Sequence, residues 1–303
     1  MIMSNHAHEI KQRRFVLALS LTGVIFLAEF VGGLWTGSLA LRADSAHVFM
    51  DAFALGLSYL ALRAAALPAD DRHTYGYHRL QILAALTNGI TLLFIAFEIL
   101  REAWSRWQQP QPIQAGPMLV IAIVGLIVNV IVAYVLHEHD HDDVNTRSAF
   151  LHVLGDTLAS VGVIGAGIII LFTGWMWLDP LVSALIGLLI LVSAGRLLKE
   201  TVHILAEGMP DGMTASAVAE AMRATPGVGE VHDLHVWTVA PGYVALSAHV
   251  LLADQALSET VEVMTALKHT LREQFDIEHT TIQFECTSCG QGVCLPASTT
   301  LPS

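Results

Sequence analysis

Long apolar stretches alternate with short polar breaks over the first two thirds of the chain. The hydrocarbon core of a bilayer is about 30 Å thick, so a helix that spans it needs about 20 residues. Six stretches reach or nearly reach this length, and they predict six transmembrane helices. These helices are expected over residues 15–36, 39–64, 80–104, 116–137, 147–172 and 179–204.

The pattern changes after Glu207, where shorter elements replace the long apolar stretches. Alternating apolar positions predict strands, and a 3.6-residue period predicts helices. Ala240-Pro241-Gly242 separates two of the strands as a hairpin-like turn. The predicted order is helix 214–224, strand 230–239, strand 243–252, helix 257–274 and strand 279–285.

These patterns predict an α-helical membrane protein with a small α+β domain on the cytoplasmic side. A domain of this size is within the usual range. The tail is polar and rich in small residues, so we expect it to be disordered. The predicted organisation is an N-terminal cytoplasmic segment 1–14, a six-helix transmembrane domain 15–206, an α+β domain 207–289 and a tail 290–303.

Composition excludes several classes of protein. Apolar residues make up 54% of the chain, charged residues 14%, and the mean hydropathy is +0.57. Soluble domains average about 45–50% apolar and about 25% charged residues, so a wholly soluble enzyme is not expected. Three cysteines confined to the last 18 residues do not form a disulfide framework. The net charge of −12 offers no basic face for nucleic acid.

The lysines and arginines predict the orientation in the membrane. Six spans put both termini on one side, and that side carries nine Lys and Arg residues against three on the other. Because basic residues concentrate on the cytoplasmic side, both termini are expected in the cytoplasm. We expect a multi-pass protein of a bacterial inner membrane.

A four-residue His-x-x-x-Asp motif occurs in two of the predicted spans. His47 and Asp51 lie in the second span, and His152 and Asp156 lie in the fifth. Residues four apart on a helix share a face. Each helix therefore offers one imidazole nitrogen and one carboxylate oxygen, and two such helices offer a tetrahedral set for Zn²⁺.

The cost of burying charge favours a metal over simple helix packing at these motifs. Neutral histidines can hydrogen-bond to aspartates between helices, and that alternative needs no metal. However, two carboxylates within a bilayer are expensive without a cationic partner, and a divalent ion neutralises both. Zinc binds neutral imidazole and ionised carboxylate, so protons compete with the metal for the same atoms.

The motifs together resemble the cation diffusion facilitator family of divalent-metal/proton antiporters, in its zinc-transporting branch. The resemblance runs from about residue 12 to residue 286. It implies a homodimer, export from the cytoplasm, and a cytoplasmic domain of ferredoxin-like, metallochaperone-like fold. The segments that carry it are 38–41, 47–51, 72–79, 152–156, 161–163, 233–237 and 281–285.

The resemblance also implies two features near the membrane surface. Family members that have a loop site build it from an acid and two histidines, which suggests Asp70, His73 and His78 here. This chain departs from the pattern, since Tyr77 stands where the second histidine is usual; the alternative is a solvated loop. A basic residue that opens the third span can pair with an acid at the end of the sixth, which suggests Arg79 and Glu207.

Histidines on the predicted strands suggest a metal site in the α+β domain. His232 and His249 lie on the two hairpin strands and can approach each other across the ladder. The resemblance implies a zinc site on these strands and the last strand, where His279 and Glu285 are the candidates. His235 differs from His232 by an odd number, so strict alternation places it on the opposite face.

Two further features are weaker metal candidates. Cys286 and Cys289 form half of a zinc-ribbon-like site, which would need more ligands, for instance from His232, Glu285, the N-terminal histidines or Cys294. The alternative is a pair of idle tail cysteines. The tract 137–143 is short, acidic and rich in histidine, so it is either a weak metal funnel or a soluble turn.

The sequence therefore predicts a transporter that exchanges Zn²⁺ for protons by alternating access, not an enzyme. The alternatives are transport of Cd²⁺, Co²⁺, Mn²⁺ or Fe²⁺ by the same architecture, a membrane-anchored metal sensor, and an intramembrane metalloenzyme. The enzyme is disfavoured because four protein ligands leave no position for water. The sensor is disfavoured because six spans exceed what an anchor requires.

Overall fold

A computed structural model of the chain describes the backbone of residues 20–137 and 144–287 and the side chains of residues 20–131 and 157–287. The predicted N-terminal segment 1–14 and tail 290–303 lie outside the described residues, as do residues 138–143. The chain divides into two compact units with boundaries after Tyr59, Leu86 and Leu198. We call residues 20–59 and 87–198 the helical unit, and residues 60–86 and 199–287 the sheet unit.

Six long helices occupy the positions of the six predicted spans. α2, α3 and α6 are long and apolar enough to cross a membrane, and the described parts of α1, α4 and α5 contain shorter apolar helical stretches. The predicted number of six crossings therefore stays a prediction. The bounds are α1 Ser20–Thr36 within the described residues, α2 Leu39–Ala65, α3 Leu80–Gln108, α4 Ala115–His137, α5 Val144–Thr173 and α6 Leu178–Leu205.

Helix α3 continues one turn beyond its predicted end at residue 104. Its last three turns carry ion pairs between residues three or four apart: Glu98 with Arg101 at 2.7 Å, and Glu102 with Arg106 at 2.7 Å. Such pairs stabilise a helix even where its apolar pattern fades. The helix ends just before Pro110, which cannot continue it.

The core of the helical unit shows how α2 and α5 are oriented. Buried residues of α2, α3, α4, α5 and α6 pack into one apolar cluster, which includes Leu41 and Val163. The C-terminal part of α5 packs with the start of α6 through Ile170 and Leu178. The start of α6 in turn contacts the start of α2, because Asp179 accepts a hydrogen bond from Ser38 Oγ. Helices α2 and α5 therefore run antiparallel.

The buried carboxylate of Asp179 caps helix α2 from a different helix. It accepts hydrogen bonds from Ser38 Oγ at 2.6 Å, Leu39 N at 2.8 Å and Ala40 N at 3.1 Å. A helix N-terminus leaves N–H groups without intrahelical partners, and a negative charge there also interacts favourably with the helix dipole. Arg106 Nη1 lies 3.8 Å from Asp179 Oδ2 and donates to Gly37 O. The start of the helix that carries His47 and Asp51 is thereby fixed.

The sheet unit contains the predicted helix–strand–strand–helix–strand order. The strands form one sheet in the order β1-β2-β3, with β1 antiparallel and β3 parallel to β2. Val231, Leu246 and Leu271 are among the residues of its apolar core. The elements are α7 Ala215–Arg223, β1 Glu230–Ala240, β2 Tyr243–Leu251, α8 Thr260–Phe275 and β3 His279–Glu285.

A β-bulge in β1 corrects the predicted facing of His235. His232 pairs with His249 and His235 pairs with Ser247, so three residues of β1 match two of β2. Asp233 has a left-handed backbone with φ +48° and is part of the extra length. Side chains normally alternate between the two faces of a strand, but the extra residue of a bulge interrupts this alternation. His232 and His235, three residues apart, therefore lie on the same face of the sheet, opposite the apolar core.

Candidate metal centres

The first His-x-x-x-Asp pair lies on the middle part of α2. His47 Nε2 is 4.0 Å from Asp51 Oδ2, and both side chains are partly buried. The spacing of four places them on one face, as the sequence predicts. Since the two groups are already adjacent, they can contribute one nitrogen and one oxygen to a shared ion.

The second pair lies on α5, which spans both of its positions. The side chains of His152 and Asp156 lie outside the described residues, so the complete four-ligand site stays a prediction. One contact nearby is described: Ser160 Oγ donates to Asp44 Oδ2 at 3.0 Å. This hydrogen bond joins α5 to α2 one turn away from both pairs.

Three side chains of the sheet form the one group of potential metal ligands found among the described residues. One donor atom from each of His232, His249 and Glu285 lies within 4.8 Å of the others. Glu285 Oε2 is 3.1 Å from His232 Nε2, and Glu285 Oε1 is 2.9 Å from His249 Nδ1. The strand register explains this, because His232 faces His249 across β1 and β2, while Glu285 lies at the neighbouring end of β3.

The donor set and its surroundings suit a zinc ion. Two imidazoles and a carboxylate are zinc ligands, and donors in a tetrahedral zinc site are about 3.3 Å apart. The His232 side chain is only 1% exposed, whereas His249 is 26% and Glu285 15% exposed. His232 thus forms the buried side of the cluster, and solvent reaches the cluster from the side of His249 and Glu285. Sequence analysis predicted these three residues, and the structure brings them together.

The bulge adds a carboxylate that sequence analysis missed. Asp233 Oδ1 is 3.1 Å from His235 Nε2, and Asp233 Oδ2 is 3.7 Å from His249 Nε2. Asp233 therefore lies beside the cluster, near the ring nitrogen of His249 that is farther from Glu285. Its signal in the sequence is an aspartate within a strand, since Asp tolerates the left-handed region better than most residues.

His279 does not join this cluster, which corrects its predicted role there. It begins β3 and pairs with Ala245, six residues before Glu285 on the same strand. Its ring lies against Tyr75 at 5.3 Å and Tyr243 at 5.9 Å between centroids. Cys286 follows the strand and is exposed, whereas Cys289 lies outside the described residues, so the predicted cysteine pair is not described.

The loop between α2 and α3 forms a hydrogen-bonded turn around Asp70. Its carboxylate accepts from the backbone N–H groups of Arg72 and His73 and from the Tyr77 hydroxyl at 2.7 Å. His73 Nδ1 is 3.2 Å from Asp70 Oδ1, but the His78 ring lies against Tyr243 instead. The described residues therefore do not form the predicted three-ligand loop site, because Tyr77 occupies Asp70 Oδ2 and His78 points elsewhere.

These hydrogen bonds lower the pKa of the Asp70 carboxyl to about 2, with the Tyr77 hydroxyl as the largest cause. The folded-state pKa lies below the ordinary value of 3.8, so the stability that this interaction adds is present above pH 3.8. It is lost as the pH falls from 3.8 to about 2. Tyr77→Phe should raise the pKa of Asp70 towards 3.8, as an NMR titration of labelled aspartate would measure.

Tyr75→Phe is the matched control for this prediction. Tyr75 lies two residues earlier in the same loop, and its ring contacts His279. The pKa of Asp70 should stay near its wild-type value in this variant. An Asp70 pKa that Tyr77→Phe leaves unchanged would contradict the role of the Tyr77 hydroxyl.

Arg79 and Glu207, the pair that the family resemblance suggested, are neighbours in the sheet unit. Arg79 Nη2 lies 3.4 Å from Glu207 Oε1, and both side chains are about half exposed or more. Glu207 has a left-handed backbone with φ 58° just after α6. An exposed pair of this kind contributes little stability, so its proposed role is to fix the geometry of the two helix ends.

Replacing His249 by alanine should weaken zinc binding by the sheet cluster by roughly 100-fold, because even substitutions beyond the ligands cost 10–100-fold in metal affinity. Isothermal titration of the full chain in an Asp51→Ala background separates this cluster from the membrane pair. His269→Ala, which removes an exposed histidine of α8, is the control and should bind zinc normally. Normal binding by His249→Ala would exclude the cluster as a zinc site.

Comparison with known proteins gives two family matches that together cover most of the chain. Residues 15–206 match the cation efflux transmembrane domain, and residues 210–286 match the cytoplasmic domain of cation efflux proteins.

Curated relatives match over nearly their whole length. The metal cation efflux system protein CzcD of Cupriavidus metallidurans is 42% identical, covering 95% of this chain and 92% of that protein. The zinc transporter ZitB of Escherichia coli K12 is 40% identical, covering 91% and 88%. The cadmium, cobalt and zinc/H⁺-K⁺ antiporter of Bacillus subtilis is 38% identical, covering 92% and 91%.

A solved structure also matches the chain. It is the metal-bound C-terminal domain of the CzcD transporter from the same Cupriavidus species, 42% identical, with a TM-score of 0.22, covering 24% of this chain and 99% of that one.

Proposed function

The chain belongs to the cation efflux, or cation diffusion facilitator, family of metal transporters, and on this premise we propose that it exports Zn²⁺ from the cytoplasm in exchange for protons. Its relatives are transporters and not enzymes. The transport site is formed by His47 and Asp51 of α2 with His152 and Asp156 of α5.

The hydrogen bond between Ser160 and Asp44 is the observation that carries this proposal. Asp44 precedes His47 by three residues, and Ser160 follows Asp156 by four. Each residue of a helix rises 1.5 Å, so both offsets are about 5–6 Å. The two helices run antiparallel, so going forward along α2 and going backward along α5 is movement in the same direction. Both His-x-x-x-Asp pairs are therefore displaced from the hydrogen bond in that one direction. This supports a common level for the two His-x-x-x-Asp pairs.

Charge balance explains why such a site can exchange metal for protons. Two carboxylates neutralise one Zn²⁺, so the loaded site carries no net charge in the membrane. Protons bound to the same carboxylates and imidazoles neutralise the empty site. Zinc that arrives from the cytoplasm displaces protons, and protons from the outer side displace zinc after the helices rearrange.

The ligand types favour zinc, although related metals fit the same atoms. Imidazole suits zinc and several transition metals, and affinity order alone does not separate neighbouring divalent ions. The printed names of the relatives include zinc alone and also cadmium, cobalt and zinc together. Zn²⁺ is the proposed substrate, and Cd²⁺, Co²⁺, Mn²⁺ and Fe²⁺ are the alternatives.

The proposal extends to topology and assembly. Helices α1 to α6 cross a bacterial inner membrane with both termini in the cytoplasm, as the distribution of lysine and arginine supports. Two copies form a homodimer, consistent with the dimerisation domain family that residues 210–286 match. Zinc at His232, His249 and Glu285 stabilises the cytoplasmic domain of that dimer.

Metal-driven proton flux in proteoliposomes tests the proposed exchange. Purified protein is reconstituted with a pH-sensitive dye inside the vesicles, and Zn²⁺, Cd²⁺, Co²⁺ or Mn²⁺ is added outside. Zinc should drive the largest opposing proton flux, and a pH gradient should accelerate zinc movement. Zinc movement that leaves the internal pH unchanged would refute the antiport mechanism.

A further inference from the structure

Glu29 of α1 is a fully buried acid that the proposed exchange does not use. It is 0% exposed, and neither of its carboxylate oxygens has a hydrogen-bond partner among the described residues. A buried ionised carboxylate without a partner is very costly, and such a group takes up a proton instead. The charged groups and the space around the Glu29 carboxylate therefore decide whether it binds a proton or a metal ion.

Among the described side chains, the surroundings of Glu29 contain a second acid. Asp44 of α2 is 1% exposed, interacts electrostatically with Glu29, and accepts the hydrogen bond from Ser160 of α5. The described side chains of α1 and α4, residues 20–36 and 115–131, include no lysine, arginine or histidine. The nearest basic residue along α2 is Arg42, whose Nη1 binds Glu102 of α3 at 2.9 Å.

Gly125 of α4 limits the space around the Glu29 carboxylate. A Cβ at this position would collide with Glu29 Oε1, so the carboxylate packs directly against the α4 backbone. A hard metal ion would need about six or more oxygen ligands at 2.3–2.6 Å. Glu29, Asp44 and Ser160 supply fewer, and the close packing against α4 suits a proton better.

We propose that Glu29 and Asp44 share one proton and form a proton site of the transporter, separate from its metal ligands. The inference rests on the proposed zinc/proton exchange. Two neighbouring carboxylates cannot both ionise in apolar surroundings, so one proton between them is the stable state.

The position of the pair couples this proton to zinc. Asp44 precedes His47 by one helical turn, so a dication at His47 and Asp51 lies close enough to repel the shared proton. Zinc binding therefore promotes loss of the proton, and reprotonation promotes loss of zinc. Part of the proton coupling is thus carried outside the four metal ligands.

Glu29→Gln tests this site through the number of protons moved per zinc. The variant should move about one proton fewer per zinc than the wild type, since one titrating group is lost. The pH dependence of its zinc uptake should be less steep, and so should the pH dependence of its zinc affinity measured by isothermal titration, because coupling between two bound species is reciprocal. Glu98→Gln is the control, because Glu98 is an exposed acid of α3 paired with Arg101, and it should keep the wild-type proton ratio.

Infrared difference spectroscopy of the wild type gives a measurement that needs no transport. Zinc binding should remove the carbonyl band of a protonated carboxylic acid, and Glu29→Gln should lack that band. If Glu29→Gln does not fold, Glu29→Asp keeps a carboxyl group and should shift the band. A zinc-sensitive Glu29 band in a protein that moves no protons would support the site and refute the antiport proposal.

Two results would overturn the proton site. One is a wild-type proton ratio and pH profile in a folded Glu29→Gln variant. The other is a requirement for Na⁺ or K⁺ that Glu29→Gln abolishes while the proton ratio stays unchanged, which would assign the pair to a monovalent cation.

Discussion

Replacing Asp51 by alanine is expected to reduce zinc uptake into proteoliposomes by about 100-fold or more. With Asp51 removed, a bound Zn²⁺ keeps one uncompensated positive charge in the membrane, which costs about 2.5–3.5 kcal/mol. Each 1.4 kcal/mol is a factor of ten in binding, so this cost alone weakens the site by about 100-fold. The loss of a ligand adjacent to His47 adds to it.

Asp51→Asn and Ser58→Ala separate charge from fold in this experiment. Asp51→Asn keeps the shape of the side chain and should lose nearly as much uptake as Asp51→Ala. Ser58 is an exposed residue of the same helix, and Ser58→Ala should transport normally. Size-exclusion elution and thermal unfolding should be alike in all three. Uptake that persists in both Asp51→Ala and Asp156→Ala would refute the transport site.

Replacing Asp179 by alanine is expected to destabilise the helical unit by about 3–5 kcal/mol, because it removes one partner of a buried charged network. Three hydrogen-bond donors at the start of α2 and the Arg106 guanidinium would lose their common partner. For a domain of this size, the expected fall in melting temperature is roughly 10 °C. Thermal unfolding of the detergent-solubilised protein measures it.

Glu98→Ala is the matched control for Asp179→Ala, since it removes an acid whose ion pair with Arg101 is exposed. Exposed pairs are worth about 0–1 kcal/mol, so this variant should melt close to the wild type. Ser38→Ala removes a single donor to Asp179 and should fall between the two. Equal melting temperatures for Asp179→Ala and Glu98→Ala would show that the cap contributes no more than a surface pair.

Much of the architecture follows from periodicity, and the structure shows why. The predicted strand 279–285 matches β3, and the predicted starts of α2 and α3 match to the residue. Glycine and proline lie at the two ends of α2: Gly37 has φ 76° just before its start, and Pro68 follows its end closely. Local conformational preference and burial act on the same residues here. The pattern of the sequence is therefore enough to predict where these elements begin and end.

The contacts that escaped prediction join residues distant in sequence. Asp179 reaches Ser38 across 141 positions, and no local pattern distinguishes it from an ordinary acid in the first turn of α6. The structure does not bring Asp70, His73 and His78 together, for a different reason. The Tyr77 hydroxyl donates to Asp70 Oδ2, and a search of the sequence for potential ligands does not consider such a competing donor. His232, His249 and Glu285 were predictable because strand pairing brings them into reach.

The single extra residue at the β1 bulge makes chain length, more than side-chain identity, the constraint on this part of the sheet. Deleting Asp233 would restore strict alternation and turn the upstream half of β1 over, so that His232 would point into the apolar core and Val231 into water. An in-frame deletion two positions from His235 would therefore dismantle the histidine cluster, although it removes none of the three clustered side chains.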